Sequence, residues 1–303
     1  MVGSYLQLIR WPNVLMVGLT QLMCYFKFIY PLQITEDTLC LSIMDQMLLI
    51  LCTMSITAAG FVINDLYDVE SDLLNNKRNL ISLIGKPNSR IFYFALIFIG
   101  LILSLYLAMK LDFHFSWLFY PLSHLILWWY SRYGKCSILI GNSLVSTFIG
   151  ASILLPIYAN KDQLISALYL SMDQTEFLRW VQELGLWCSF AVLSNFFREI
   201  VKDIEDKDGD KACNCVTTAV YFSIRICKLI LITVLLTIAF IAIVNASIAA
   251  STLQTVFYFV CIILPILGLG WLLLKAKESK EWAQISLYSK LYMALGLCFL
   301  FFI

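Results

Sequence analysis

Long apolar stretches, separated by short polar segments, dominate this chain. A helix that crosses a bilayer needs about 20 mainly apolar residues, and nine windows approach that length. They lie at residues 12–30, 43–63, 91–109, 113–131, 138–158, 183–198, 226–246, 252–274 and 286–303. The pattern predicts an all-α protein, a polytopic membrane bundle of about nine transmembrane helices.

The composition supports a membrane protein. Of the 303 residues, 61% are hydrophobic and only 14% are charged, whereas soluble domains have about 45–50% apolar residues. The formal net charge of +1, from 21 basic and 20 acidic residues, provides no basic surface for nucleic acid and no acidic tail. We therefore exclude nucleic-acid binding and disorder and take the lipid bilayer as the chain's main environment.

The ten cysteines are scattered through the apolar stretches. The close pair, Cys213 and Cys215, has neither nearby histidines nor a second pair with which to bind zinc. We therefore expect the cysteines to serve as small apolar fillers of the core.

The positions of Lys and Arg predict the orientation in the membrane. With the amino terminus inside, seventeen of the 21 basic residues fall in inner segments, as the positive-inside rule requires. The outer side keeps Lys27, Lys110, Lys161 and Arg179. This distribution predicts an integral protein, in the cell inner membrane, whose amino terminus and longer inner loops are cytoplasmic.

The chain contains no Gly/Ser-rich or Pro-rich linker, so we predict a single domain over 1–303. Two long inner-face loops, 64–90 and 199–225, have lengths at which loops usually carry function. We predict that they form the cap of an active site.

Half of the 20 acidic residues lie in two short stretches, 64–72 and 199–210, which follow the second and sixth predicted spans. In each stretch three Asp residues have offsets 0, 3 and 7, which places three carboxylates on one stripe of a helix. The two triplets are Asp65, Asp68 and Asp72, and Asp203, Asp206 and Asp210. Like charges on one stripe repel each other, so a compensating cation is expected.

The duplication of this pattern favours a metal site over two solvated polar loops. The stretches lie four spans apart on the same side, which indicates two pseudo-repeated four-helix units plus one further helix. Mg²⁺ typically joins one or two carboxylates to substrate phosphates. The two triplets therefore predict a clamp that holds Mg²⁺ and a diphosphate.

Basic residues accompany the acids on the inner face, where they either neutralise phosphate or only set the topology. They are Arg78, Lys86, Arg132, Lys135, Arg198 and Lys202.

Residues 64–72 read N-D-x-x-D-x-x-x-D, and this pattern resembles the first signature of the UbiA family of membrane prenyltransferases. The stretch from Asp203 to Asp210 resembles the second aspartate motif of that family. Residues 10–13, Arg-Trp-Pro-Asn, resemble its amino-terminal R-x-x-N. Tyr130-Ser131 with Lys135 and Gly141-Asn142 resembles its central Y-S segment. The similarity extends from residue 10 to about residue 220.

The resemblance implies transfer of a polyprenyl group from a polyprenyl diphosphate donor to a lipophilic acceptor, with Mg²⁺ as cofactor. It implies metal ligands at Asn64, Asp68, Asp72, Asp203, Asp206 and Asp210, with Asp65 as a further ligand or a supporting group. The expected catalytic residues are Asp68, Asp72, Asp206, Asp210 and Lys135. The expected substrate-binding residues are Arg10, Asn13, Arg78, Tyr130, Ser131, Lys135, Arg198 and Lys202.

Two segments depart from the family pattern. Many relatives follow the first motif with a basic residue and proline, where this chain reads Asn76-Lys77-Arg78-Asn79, and their T-L-P reads Thr217-Thr218-Ala219 here. The motifs are closest to the archaeal-type branch that prenylates geranylgeranylglyceryl phosphate. Prenylation of haem or of an aromatic quinone precursor, 4-hydroxybenzoate or dihydroxynaphthoate, is the alternative.

Two other classes of protein fit parts of the pattern. A secondary transporter or cation channel would place repeated acids near the membrane midplane, whereas these stretches begin at the ends of spans. A structural membrane protein with acidic helix caps would tolerate neutral residues at Asp68 and Asp210.

Overall fold

The structure, a computed structural model, describes residues 2–32, 41–74, 79–111, 114–162, 164–166, 173–247 and 251–299. Every regular element in these ranges is helical, as predicted. The α-helices are α1 Val2–Leu8, α2 Trp11–Cys24, α3 Ile43–Tyr67, α4 Val69–Leu74, α5 Leu80–Ile84, α6 Lys86–Ala108, α7 Phe119–Arg132, α8 Ile140–Ala159, α9 Gln174–Glu205, α10 Lys207–Ala212, α11 Thr218–Tyr221, α12 Ile224–Ser247, α13 Thr252–Phe257, α14 Leu264–Lys275 and α15 Ser279–Phe299. A π-helical turn, Tyr25–Ile29, follows α2, and a second, Tyr258–Ile263, joins α13 to α14.

Within the described residues, seven helical segments are long and apolar enough to cross a membrane. They are Trp11–Leu32, Ile43–Tyr67, Lys86–Ala108, Ile140–Ala159, Gln174–Glu205, Ile224–Ser247 and Thr252–Lys275. The two other predicted windows, 113–131 and 286–303, overlap α7 and α15. Helix α7 has only 14 residues, and α15 carries three charged residues. The membrane class is confirmed, while the count of nine spans stays a prediction.

The chain divides into two compact units, of which the first comprises residues 1–135 and 152–172. Helix α3 is its central element and packs against α2, α6 and α7. The close approach requires Gly100 on α6, because a Cβ there would overlap the hydroxyls of Tyr120 and Ser55. Those two hydroxyl oxygens lie 3.2 Å apart. This packing fixes the carboxyl-terminal end of α3, where the first acidic stretch begins.

The second unit comprises residues 136–151 and 173–303. Helix α9 is its centre and packs against α11, α12 and α15 around one apolar core. Helix α8 approaches α9 closely at Gly150, since a Cβ at this position would lie 2.5 Å from Cγ2 of Val192. The second acidic stretch is thus carried by the longest and most extensively packed helix of this unit.

Helix α9 begins at a well-defined cap. Asp173 accepts hydrogen bonds from the backbone N–H groups of Thr175 and Glu176, and Glu176 in return accepts one from the N–H of Asp173. The bond from the Thr175 hydroxyl and these backbone N–H groups lower the pKa of the Asp173 carboxyl. This reciprocal arrangement satisfies N–H groups that have no partner inside the helix.

Two cysteines contradict the expectation that all of them are simple fillers. Cys136 and Cys215 form a disulfide with their Cα atoms 4.7 Å apart. Six other cysteines of the described residues are outside this disulfide, and four of them are buried. The bridge joins the segment before α8 to the segment before α11, a pairing between residues 79 positions apart, which spacing along the chain could not indicate.

We expect the double substitution Cys136→Ser, Cys215→Ser to lower the unfolding temperature in detergent. A cross-link restricts the unfolded chain, and a contribution of about 2 kcal/mol corresponds to about 5 °C for a chain of this size. Scanning fluorimetry measures the change, and Cys188→Ser, which alters a free, half-buried thiol, is the control. Absence of a cross-linked 136–215 peptide from a non-reduced digest would contradict the bridge.

Candidate active site

The two acidic stretches share one backbone geometry at their middle aspartate. Helix α3 ends at Tyr67, and Asp68 has φ −86° and ψ 2° before α4 begins. Helix α9 ends at Glu205, and Asp206 has φ −95° and ψ 0° before α10 begins. This sparsely occupied region of φ/ψ space often holds active-site residues.

The hydrogen bonds around the two breaks also correspond. The N–H of Asp68 donates to O of Asn64 at 2.9 Å, and that of Asp72 to O of Asp68 at 2.8 Å. In the second stretch the N–H of Asp206 donates to O of Lys202 at 2.9 Å, and that of Asp210 to O of Asp206 at 3.0 Å. The three carboxylates of each stretch were predicted to lie on one continuous helix, but the helix is interrupted at the middle aspartate. The backbone hydrogen bonds from residue i to residue i−4 nevertheless continue across the interruption.

In the first unit, Asp65 is paired with a basic residue from the amino-terminal segment. Nη2 of Arg10 donates to Oδ1 of Asp65 at 2.7 Å, and the guanidinium lies 4.9 Å from the centroid of the Phe61 ring. The predicted compensation of the acids is thus supplied here by a side chain. It also places Arg10 beside the first acidic stretch.

Asp68 has two partners on one oxygen. Nδ2 of Asn64 and Nζ of Lys135 each donate to Oδ2 of Asp68 at 2.6 Å. Asn64, Asp68 and Lys135, all of which belong to the motifs described above, therefore form one group. The ammonium beside the carboxylate makes this group able to bind an anion as well as a cation.

Asp72 accepts a hydrogen bond from Nδ2 of Asn79 at 3.0 Å. Asn79 also caps α5, because its Oδ1 accepts the N–H of Ser82 at 3.2 Å. One amide thus connects the acidic stretch to the next helix of the loop. Arg78, predicted to bind substrate, lies outside the described residues.

In the second unit, Asp203 is held by a neutral amide. Nδ2 of Asn142 donates to Oδ2 of Asp203 at 3.0 Å, and the Thr218 hydroxyl donates to Oδ1 of Asn142 at 2.8 Å. The hydroxyl oxygen of Thr218 in turn accepts the N–H of Leu139 at 3.0 Å. This chain of hydrogen bonds therefore connects α8, α9 and α11.

Arg198 and Lys202 lie one turn apart on α9 and share an acidic neighbour. Glu199 pairs with Nη1 of Arg198 at 2.9 Å and with Nζ of Lys202 at 3.6 Å. Nε of Arg198 is buried, and no hydrogen-bond partner for it lies among the described residues. This N–H group lies on the same helix as Asp203 and is able to donate to an anion.

Asp210 is only 3% exposed, and backbone contacts hold its segment. Its carbonyl oxygen accepts the N–H of Cys215 at 2.8 Å. The carbonyl of Thr218, the first residue of α11, accepts the N–H of Phe222 at 3.0 Å. The loop after α10 is thereby folded back beside the last aspartate of the second stretch.

Three other predicted substrate-binding residues are close in sequence to members of these groups. Asn13 is half-buried on α2, and its N–H donates to O of Arg10 at 2.8 Å. Tyr130 is half-buried on α7. Ser131 is buried, and its hydroxyl donates back to O of Leu127 at 2.9 Å. Their roles as substrate contacts stay predictions.

Sequence reasoning missed Asn79, Asn142 and Thr218 as members of these groups. Each nevertheless stood in a segment compared with the family pattern, as part of Lys77-Arg78-Asn79, Gly141-Asn142 or Thr217-Thr218-Ala219. The pairing of each amide with one particular carboxylate, and of the Thr218 hydroxyl with Asn142, depends on helix packing. No local spacing could have identified it.

All three non-glycine residues with positive φ in the described chain adjoin the acidic groups. They are Arg10 (φ 50°), Leu139 (φ 61°) and Asn214 (φ 55°). Arg10 binds Asp65, Leu139 donates to Thr218, and Asn214 precedes Cys215, whose N–H binds the Asp210 carbonyl. Such strained positions concentrate at functional sites.

The donor set of both stretches suits a hard divalent cation. All candidate ligands are carboxylate or amide oxygens, which Mg²⁺ prefers. No group of three or more His, Cys, Asp or Glu side chains able to hold a metal by themselves occurs in the described ranges. A Mg²⁺ ion that takes only one or two carboxylates, with phosphate and water as its other ligands, fits this arrangement.

Comparison with known proteins gives a consistent result. The sequence model described as the UbiA prenyltransferase family matches residues 41–296. A relative named digeranylgeranylglyceryl phosphate synthase, from Methanobrevibacter smithii, is 26% identical, and the alignment covers 97% of this chain and 95% of that protein.

Solved structures share the fold. One, described as giving structural and mechanistic insights into digeranylgeranylglyceryl phosphate synthase in membranes, has a TM-score of 0.64 at 22% identity and covers 99% of this chain and 96% of that one. A homologue from Archaeoglobus fulgidus, bound to GPP and Mg²⁺, has a TM-score of 0.55 at 18% identity and covers 98% of this chain and 99% of that one.

Proposed function

Because this chain belongs to the UbiA prenyltransferase family and is an integral-membrane prenyltransferase, we propose that it transfers a polyprenyl group from its diphosphate to geranylgeranylglyceryl phosphate or a closely similar lipid precursor. Membership of the family decides against the transporter, channel and purely structural alternatives. The proposed acceptor is supported by the relatives that carry the name digeranylgeranylglyceryl phosphate synthase.

The observation that supports the proposed chemistry is that α3 and α9 end in the same way, each followed by an aspartate and a second short helix. Both Asp68 and Asp206 stand where one helix ends and the next begins, each with a further Asp four residues on. We assign the binding of Mg²⁺ and the donor diphosphate to these residues and their neighbours. The proposed ligands are Asn64, Asp65, Asp68, Asp72, Asp203, Asp206 and Asp210.

When bound, Mg²⁺ stabilises the negative charge that develops on the departing diphosphate. Lys135 lies beside the proposed ligand Asp68, and its ammonium can stabilise that charge through a charge-assisted hydrogen bond. Arg10, beside Asp65, has the same chemistry. We propose that these two residues bind diphosphate oxygens and that Lys135 acts in catalysis.

The acceptor proposed here carries a phosphate, and α9 offers a donor for it. Nε of Arg198 is buried and unused by the described residues, and Lys202 lies one turn further along. We propose that Arg198 and Lys202 bind an anionic substrate group. Asn13, Arg78, Tyr130 and Ser131 are proposed to shape the pocket around the substrates.

The proposed orientation has the amino terminus and both acidic stretches on the cytoplasmic side of the cell inner membrane. It rests on the seventeen basic residues that fall in inner segments. Disulfides are rare in the cytosol outside hyperthermophiles. The non-reduced digest described above therefore also tests this orientation. Detection of the Cys136–Cys215 bridge would count against a cytoplasmic location of the two segments that it joins.

The purified protein, in detergent with radiolabelled geranylgeranyl diphosphate and Mg²⁺, tests the acceptor. We expect kcat/KM for geranylgeranylglyceryl phosphate to exceed that for 4-hydroxybenzoate, 1,4-dihydroxy-2-naphthoate or haem at least about 100-fold. A site that pairs the buried Nε of Arg198 with a phosphate rejects acceptors that leave this donor unpaired. Omission of Mg²⁺ with added EDTA is the control. Preferred prenylation of an aromatic acceptor would contradict the acceptor assignment, and no product from any acceptor would contradict the proposed transfer.

A further inference from the structure

We propose that Thr218 is a positioning residue for Asp203 and that it acts through Asn142. This inference rests on the proposed function, in which Asp203 is a ligand of the metal that binds the donor diphosphate. The hydroxyl of Thr218 is hydrogen-bonded to Asn142 and to the N–H of Leu139, and Asn142 in turn binds Asp203. The effect of Thr218 on the carboxylate is transmitted by the orientation of one amide.

The donors and acceptors along this chain have a determined direction. A hydroxyl has one proton and two lone pairs, and the oxygen of Thr218 already accepts the backbone N–H of Leu139 at 3.0 Å. Its proton therefore points to Oδ1 of Asn142, 2.8 Å away. Once Oδ1 is so engaged, the amide must present its NH₂ to Asp203, where Nδ2 lies 3.0 Å from Oδ2.

The direction matters because it decides how the carboxylate of Asp203 is oriented. A donated N–H fixes the position of Oδ2 of Asp203, and hydrogen-bond partners of this kind orient the carboxylates that bind metals. An inverted amide would present its own oxygen to the carboxylate, and two acceptors in contact repel each other. The Thr218 hydroxyl thus fixes the orientation of the Asp203 carboxylate.

The arrangement is protected from water, which could otherwise replace any of its members. Thr218 is completely buried, and Asn142 is only 6% exposed. The N–H that begins the chain belongs to Leu139, which holds a left-handed backbone conformation that costs energy for a branched side chain. All these residues lie within the second compact unit.

The neighbouring residue provides a matched control. Thr217 is also buried, at 1% exposure, but no partner for its hydroxyl oxygen lies among the described residues. Replacement of either threonine by valine removes one hydroxyl from a buried site of the same loop. Only Thr218→Val removes a hydroxyl that connects to Asp203.

Binding of Mn²⁺, followed by electron paramagnetic resonance, tests the inference without turnover. The protein is purified whole in detergent and titrated with Mn²⁺ in the presence of geranylgeranyl thiolodiphosphate, an unreactive analogue of the donor. We expect Thr218→Val to weaken Mn²⁺ binding at least about tenfold, the usual effect of losing a group that orients a metal ligand. Thr218→Ser, which retains the hydroxyl, should restore most of the affinity, and Thr217→Val should bind as the wild type does.

A double-mutant comparison separates this role from a general effect on the fold. If Thr218 acts through Asp203, Thr218→Val should cause no further loss of Mn²⁺ affinity in an Asp203→Asn background. An equal loss in both backgrounds, or none in the wild type, would overturn the inference. Unfolding temperatures without metal identify variants that do not fold, and Thr218→Ala replaces Thr218→Val if that variant is one of them.

The outcome for the wild type distinguishes this inference from the proposed function. Failure of the wild-type protein to bind Mn²⁺ with the analogue would overturn the proposed metal site, and the role of Thr218 with it. Tight binding by the wild type together with unchanged binding by Thr218→Val would overturn only the role of Thr218.

Discussion

The substitution Asp68→Asn is expected to reduce prenyl transfer at least about 100-fold while the protein remains folded. An amide has the shape of the carboxylate and still accepts a hydrogen bond from Asn64 or Lys135, both of which lie 2.6 Å from Oδ2. It lacks the negative charge that a divalent cation requires of its ligand. A 100-fold loss corresponds to about 2.7 kcal/mol of transition-state stabilisation.

The measurement is a single-turnover assay with labelled geranylgeranyl diphosphate at saturating acceptor, so that product release does not mask the chemical step. Glu70→Gln is the matched control, since Glu70 lies exposed in the same stretch, on α4. Its neutralisation should change the rate less than about threefold. Retention of more than a tenth of the wild-type rate by Asp68→Asn would contradict the role of this carboxylate.

We expect the substitution Asp210→Asn to cause a loss of similar size in the second stretch. Asp210 is almost completely buried, and its backbone is held by the N–H of Cys215 and by its own N–H bond to Asp206. The substitution leaves both backbone bonds in place, so the segment keeps its position and only the charge is lost. Because a buried charge is poorly screened by water, its removal changes metal and diphosphate binding strongly.

Asp208→Asn is the control for this variant, because Asp208 lies in the same short helix, α10, but is exposed. The Mg²⁺ dependence of the rate should shift to higher concentrations in Asp210→Asn and remain unchanged in Asp208→Asn. If both residues serve one reaction, the double variant Asp68→Asn, Asp210→Asn should lose less than the product of the two single losses. An unchanged rate in Asp210→Asn would contradict the role proposed for this carboxylate.

The apolar windows and the spacing of the acids predicted the fold class and the two acidic stretches. In lipid the backbone hydrogen bonds must be satisfied within helices or closed barrels, and apolar windows of about 20 residues select helices. The helical class therefore follows from the length of the windows together with the composition. The offsets of Asp65, Asp68 and Asp72, and of their counterparts from Asp203, identified both stretches, and the family match over 41–296 confirms the resemblance drawn from them.

Local periodicity could not, however, predict where each helix is interrupted. Spacing of 3 and 4 residues is compatible with a continuous helix, yet the backbone changes conformation at Asp68 and again at Asp206. The i to i−4 bonds persist through both positions, so the change leaves almost no signal in the pattern of apolar residues.

The sequence by itself determined the class of protein, the two acidic stretches and the residues that resemble the family's motifs, because each of these depends on composition or on spacing within a few turns. The tertiary structure decided which partners the acids have. Lys135 meets Asp68 across 67 positions and Asn142 meets Asp203 across 61, and Cys136 joins Cys215 across 79. Such pairs form only when packed helices bring distant segments within hydrogen-bond or bonding distance, and the free energy that selects them is spread over the whole core of each unit.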